Sequence, residues 1–234
     1  MPKAKSTKNG QATSKGRKKS TKPKKKTKAA AKPAPKTSKK AAPPENLSWL
    51  HTPTYDELPE VVQTMLDSAK QQAGMVPNVM KIFSLTPEHF VMWFDYYNFL
   101  QKRDDSTLSR KEREMVALVV SSENECEYCL ASHSAFLRAL DDSDEAKITA
   151  DVLVHNYRRA ELSERERAMC DFAIKMTKNA AEMTPDDLTP LRDIGLNDAE
   201  IFELAQVAAM FNFTNRLANA LGWKPNEEYY SQHR

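Results

Sequence analysis

"LSRKEREMVALVVSSENECEYCLASHSAFLRAL", residues 108–140, sets the fold class. Ser109 and Glu112 stand three apart, the spacing of a helix capping box, just ahead of the apolar run "MVALVV" at 115–120. That run is far below the ~20 residues needed to span a membrane. After a polar break come Cys126, Cys129 and His133, leading into a second helical pattern, "LASHSAFLRAL". No stretch alternates with period two between turn signals, so nothing here or outward from it reads as a strand.

The same grammar continues on both sides. "YDELPEVVQTMLDSAKQQAG" carries apolar residues at helical spacing and stops at Gly74. "PEHFVMWFDYYNFLQK" starts with Pro87 in a first-turn position, and its aromatic stripe reads as core packing rather than a cofactor box. Ser163 with Glu166 opens the helix through "AMCDFAIKM", and Asn197 with Glu200 opens a long one closed by Gly222. The expectation is an all-α body. A weak internal repeat aligns "LSRKEREMVALVV" (108–120) with "LSERERAMCDFAI" (162–174), suggesting two related helical units.

Charge divides the 234-residue chain. Residues 1–44 hold 16 Lys or Arg and no Asp or Glu, leaving 19 bases against 32 acids in the rest, a net charge of −13. Residues 1–45 have no large apolar residue after Met1 and are rich in Lys, Ala and Pro, so they read as a disordered basic tail. Residues 46–234 have length enough for one core. The tail lacks the apolar segment of a secretory signal and the Arg-rich amphipathic character of a transit peptide. Its composition resembles linker-histone tails, and "KPKKKTK" (22–28) looks like a nuclear localisation signal. Such an arm can release counterions from nucleic acid without reading sequence, or lie on the acidic body. It has no aromatic residue for base stacking. A reducing, cytoplasmic setting is expected, with nucleoid or nuclear association through the tail as its variant.

Three cysteines are few, and two of them sit together. On one helix, Cys126, Cys129 and His133 share a face. A disulfide can close between the two sulfurs, His133 can take a proton from Cys129, and the helix N-terminus can acidify Cys126. One thiolate can then meet peroxide while the other resolves the sulfenic acid. Two other readings stay open: both cysteines as small core residues, or a zinc site, for which no second CxxC supplies a fourth ligand. Cys170 lies on an apolar helical face and reads as core, whereas His51, His89, His155 and His233 read as surface or capping residues.

Glu114, Cys126, Cys129 and His133 together give the pattern E-x11-C-x-x-C-x-x-x-H. This resembles the active-site pattern of alkylhydroperoxidase AhpD-like proteins, in the carboxymuconolactone decarboxylase superfamily. "RKEREMVALVVSSENECEYCLASH", "GMVPNVM", "LSERERAMCDFA" and "FNFTNRLANALG" resemble its peroxidase-related subgroup. The resemblance spans about residues 46–230, with the redox core at about 87–178, and leaves the tail outside.

It implies an AhpD-like all-helical bundle assembled as a trimer or hexamer. It also implies a thiol-dependent peroxidase acting on hydrogen or alkyl hydroperoxides. Cys129 would be peroxidatic, Cys126 resolving, and His133 and Glu114 a proton relay. A lipoyl or thioredoxin-like partner would re-reduce the disulfide, with no bound cofactor or metal. The decarboxylase branch lacks the cysteine pair and is the alternative within the superfamily. A nucleic-acid-associated oligomer using residues 1–44 is the alternative outside it. One departure is Tyr128, where some AhpD proteins place a histidine between the cysteines.

The helix dipole favours Cys126 as the more acidic thiol, but it is worth only ~1 kcal/mol at exposed sites. The nearness of His133 and the family pattern favour Cys129. Among Glu112, Glu114, Glu123 and Glu125, the repeat selects Glu114. Glu112 recurs as Glu166 in a capping position, while Glu114 is replaced by Ala168 in the copy without the cysteine pair.

Overall fold

The computed structural model describes residues 46–234, and the expected disorder of the tail lies outside them. Among the described residues there are nine α-helices and no strand, so the body is all-α. They are α1 Glu60–Ala73, α2 Asn78–Phe83, α3 Pro87–Lys102, α4 Arg110–Glu123, α5 Glu127–Leu140, α6 Asp144–Asn156, α7 Glu164–Asn179, α8 Thr189–Asp193 and α9 Asp198–Leu221. No helix of the described residues is long and apolar enough to cross a membrane.

Helix α4 is the centre. From Arg113 to Ser121 every residue is buried. A helix apolar nearly all round must be covered on every side, and α5, α6, α7 and α9 all pack against it.

The internal repeat is expressed in hydrogen bonds. Both capping boxes form, Ser109 with Glu112 and Ser163 with Glu166. The two helix starts then exchange partners: Lys111 Nζ meets Glu166 Oε1 at 2.9 Å, and Arg165 Nε meets Glu112 Oε1 at 2.6 Å. At the same offset, Arg113 donates to the Arg103 carbonyl at 2.9 Å and Arg167 to the Tyr157 carbonyl at 2.9 Å. Pairs this open to water add under about 1 kcal/mol each. Their weight is in orientation, since they pack α4 against α7 as a two-fold-like pair.

Two expectations need correction. Cys126 is not inside a helix; it is the N-cap of α5, in extended conformation at φ −88° and ψ 96°. The aromatic stripe of α3 is also only partly core. Phe90, Trp93 and Leu100 are buried, but Met92, Tyr96 and Phe99 are exposed. A sixteen-residue helix with apolar residues on more than one face cannot bury them all against one layer.

The join between α4 and α5 places the cysteines. Glu125 N–H bonds the Ser122 carbonyl at 3.1 Å and Cys126 N–H bonds the Ser121 carbonyl at 3.0 Å. This is the paired hydrogen-bond pattern of a Schellman C-cap. The left-handed position, which favours glycine, is filled by Glu125 at φ 51°. Gly222 closes α9 in the same region at φ 62°, and there the glycine is required twice over, since an added Cβ would lie 2.3 Å from the Trp49 ring.

Glu125→Gly should therefore stabilise the protein by about 0.5–1 kcal/mol, the relief of left-handed strain less the extra backbone entropy of glycine. Urea unfolding measures it; a loss of stability would mean that the exposed Glu125 side chain makes a compensating interaction.

Candidate active site

The chain enters α5 through Cys126, and its sulfur does what a capping oxygen does. Cys126 Sγ accepts the N–H of Cys129 at 3.4 Å, while the Cys126 carbonyl accepts the N–H of Leu130 at 2.8 Å. The two cysteines are thus brought together by one cap, and both are free thiols.

Below them lies a polar floor that sequence reading missed. Asn124, the C-cap of α4, is held by three asparagines of α9. Its amide donates to Asn212 Oδ1 at 3.1 Å and to Asn215 Oδ1 at 3.0 Å, and its carbonyl accepts from Asn219 at 2.7 Å. Asn215 also donates to Ser121 Oγ at 3.0 Å, and both residues are fully buried. The available signal was Asn215 itself, a polar residue on the Ala208–Phe211–Ala218 stripe of a core helix.

The two thiols differ in acidity. The Cys126 thiol is lowered, first by the hydrogen bond from the Cys129 thiol and further by backbone N–H groups and Asn215. Burial pushes the Cys129 thiol well up, and its role as donor to Cys126 adds to that. At rest, then, Cys126 is the more acidic sulfur, as its position at the helix N-terminus demands. Access runs the other way: Cys126 is 0% exposed, whereas Cys129 is 4% exposed and lines a cavity of about 970 Å³.

Glu114 and His133 meet inside that cavity's wall. His133 Nδ1 lies 2.7 Å from Glu114 Oε2, with Glu114 1% and His133 5% exposed. Edge-on contacts with Phe211 and Phe136, at 4.6 and 5.4 Å between ring centres, hold the imidazole in place. With Nδ1 engaged, Nε2 is the nitrogen left to exchange protons. A buried carboxylate is costly unless paired, and this partner supplies the compensation. Glu112, by contrast, is committed to its capping box and to Arg165. Glu123 pairs with Lys178, and Glu125 is exposed on the turn.

Tyr128, between the cysteines, turns its hydroxyl to the start of α2, where it accepts the Val79 N–H at 2.8 Å. Burial raises its phenol well above the ordinary range, so it keeps its proton and serves as a cap. His51, His89, His155 and His233 are all exposed. Among the described residues, no group of three or more His, Cys, Asp or Glu is arranged to hold a metal ion.

Cys170 is buried on α7, and desolvation pushes its thiol up to about 12. At pH 8 roughly one part in ten thousand is thiolate. Iodoacetamide should leave it unmodified in the native protein and label it on unfolding in guanidinium. Labelling of Cys170 in the native state, read by peptide mass spectrometry, would contradict its packing.

Residues 87–152 match the sequence pattern of the carboxymuconolactone decarboxylase family. A crystal structure of an uncharacterized peroxidase-related protein from Silicibacter sp. TM1040 is 41% identical, with a TM-score of 0.77, covering 82% of this chain and 99% of that one. Another, described as an alkylhydroperoxidase AhpD core and peroxidase-related protein from Ralstonia eutropha JMP134, is 33% identical, with a TM-score of 0.76 and coverage of 83% and 98%. The debrominase Bmp8 shares the fold at 15% identity, with a TM-score of 0.63 and coverage of 80% and 95%. A comparison with curated protein sequences returns no match. By identity over almost the full length of two relatives, and by fold, the chain belongs to the AhpD-like proteins of the carboxymuconolactone decarboxylase superfamily.

Proposed function

We propose that the protein is a thiol-dependent peroxidase that reduces hydroperoxides with the Cys126–Cys129 dithiol. The observation that carries this reading is one sulfur facing a cavity beside a Glu–His pair, with a second, more acidic sulfur in hydrogen-bond contact behind it.

The chemistry follows from that order. Cys129 passes its proton to the Cys126 thiolate and attacks the terminal oxygen of the hydroperoxide. The S–O bond forms, the O–O bond breaks, and the alkoxide takes a proton from Nε2 of a protonated His133, whose charge Glu114 balances. Products are the alcohol and Cys129 sulfenic acid. The Cys126 thiol then attacks that sulfur; the S–S bond forms, the S–O bond breaks, and hydroxide leaves as water with the Cys126 proton. Two thiols are oxidised and one peroxide is reduced. An external dithiol of lipoyl or thioredoxin-like chemistry returns the two electrons by exchange. The apparent conflict between acidity and access resolves here: Cys126 is the base and resolving thiol, Cys129 the attacking one.

Stopped-flow oxidation by cumene hydroperoxide tests the roles. Glu114→Gln and His133→Ala should each slow the reaction about 10²-fold or more, the scale of a lost acid–base group. Glu112→Gln should leave the rate intact and cost about 1 kcal/mol of capping stability. The reading fails if Glu112→Gln is the slow variant and Glu114→Gln is not.

The charge segregation favours one addition. With 16 bases and no acid, residues 1–44 fit contact with the phosphate backbone of nucleic acid, which the −13 remainder repels. Duplex DNA of any sequence should bind the full chain at low salt, with log K falling by about 0.9 per phosphate engaged for each decade of salt. Deleting residues 1–44 should abolish this. Absence of binding by the full chain at low salt would remove the idea.

A further inference from the structure

The cavity above Cys129 is far larger than hydrogen peroxide needs. About 970 Å³ compares with the ~30 Å³ that a water molecule occupies in the liquid. Its walls are largely apolar, with Met65, Met80, Phe94, Phe136 and Trp223 among them. Such a space suits an organic body. Two cations interrupt it. Lys102 is the last residue of α3 and Arg110 the first of α4, so the loop between those helices brings both to the same cavity.

Neither cation has a carboxylate partner among the described residues. Lys102 Nζ lies 5.8 Å from the centre of the Phe94 ring, and Arg110 makes no hydrogen bond or ion pair with the described residues. By contrast, Arg165 and Arg192 each hold a carboxylate. Burial, and then the charge of Arg110, hold the Lys102 ammonium below its ordinary range. Both residues are exposed where they line the cavity, and the Glu114 carboxylate on the same lining offsets part of the charge at Lys102, so an arriving anion meets two solvated cations. Two further groups on cavity-lining residues, Trp93 Nε1 and Asn98 Oδ1, are buried with no hydrogen-bond partner.

The geometry points to an anion-reading end of the cavity: Lys102 and Arg110 hold the carboxylate of a mainly apolar hydroperoxide whose peroxide group meets Cys129. This rests on the peroxidase reading and names the substrate class within it. Arg110 stands one helical turn from Glu114 on α4, Glu114 bonds His133, and His133 stands one turn from Cys129. The carboxylate is thus set apart from the sulfur, and the peroxide belongs within the apolar chain rather than beside the acid. An arginine fork matches a carboxylate in two parallel hydrogen bonds, and the lysine adds a point charge.

The test uses the full chain with a C18 hydroperoxy fatty acid, its methyl ester, and the corresponding hydroxy acid, which cannot oxidise thiols. The hydroxy acid should bind by calorimetry, and Arg110→Gln should weaken it about tenfold or more. Wild-type kcat/KM should favour the acid over the ester by a similar factor. That ratio should collapse in Arg110→Gln and in Lys102→Gln, and return in part with Arg110→Lys, which also guards against a folding defect. Equal use of acid and ester, with hydroxy-acid binding indifferent to Arg110, overturns the proposal. Charge-dependent binding without turnover of any peroxide would keep the anion site and sink the peroxidase reading instead. Dihydrolipoate against dihydrolipoamide, run on the disulfide form, separates the other source of a carboxylate. A preference for acid confined to that half-reaction overturns the assignment to the peroxide.

Discussion

The short turn from α4 to α5 is where the site is made. It has to end one helix, begin the next and leave two sulfurs in contact, all between Glu123 and Glu127. The Schellman hydrogen bonds end α4, and the chain then has no room for a separate capping residue, so Cys126 takes that place. A cap points its side chain at the backbone N–H groups of its own first turn, and the N–H it finds is that of Cys129. The sulfur–sulfur encounter is thus a consequence of backbone geometry. The asparagines of α9 hold the turn from below, where a loop free to move would let the sulfurs part.

The same turn divides labour between the sulfurs. Donors reach Cys126 from the helix terminus, from Asn215 and from the Cys129 thiol, and they make it the more acidic of the two thiols. Cys129 sits three residues further on, still in the first turn, desolvated, with the cavity before it and His133 a turn beyond. The more acidic thiol is thus shielded from the cavity, and the less acidic one faces it. Glu114 extends the arrangement to α4. It is the one carboxylate within that helix's buried stretch, and the imidazole of His133 is what makes its burial tolerable. Ala168 fills the equivalent place in α7.

Much of the helical scaffold was legible because its signals are local. Capping boxes at Ser109, Ser163 and Asn197, the proline that opens α3 and the glycines that close α1 and α9 each act within one turn of chain. Glu114 could be singled out because the repeat offered an internal comparison. The position of Cys126 was not legible, since cysteine is no capping signal and a spacing of three fits a helix interior equally well. The Asn124–Asn215–Ser121 floor was hidden because it joins residues about 90 positions apart. Nothing in the sequence singles out Lys102 and Arg110, and only the fold of the loop between them brings both to one cavity. The α3 stripe misled because period alone does not say which faces of a helix are covered.

The central claim is that Cys126 and Cys129 act as one redox pair poised by the cap. Reduced protein is treated with one equivalent of hydroperoxide, the remaining thiols are blocked, and the peptides are mapped by mass spectrometry; Cys126→Ser is carried alongside. The account predicts a Cys126–Cys129 disulfide with Cys170 reduced, and sulfenic acid trapped on Cys129 in the variant. Both thiols reduced after exposure, or sulfenic acid retained on Cys126 in Cys129→Ser and absent from Cys129 in Cys126→Ser, would contradict it.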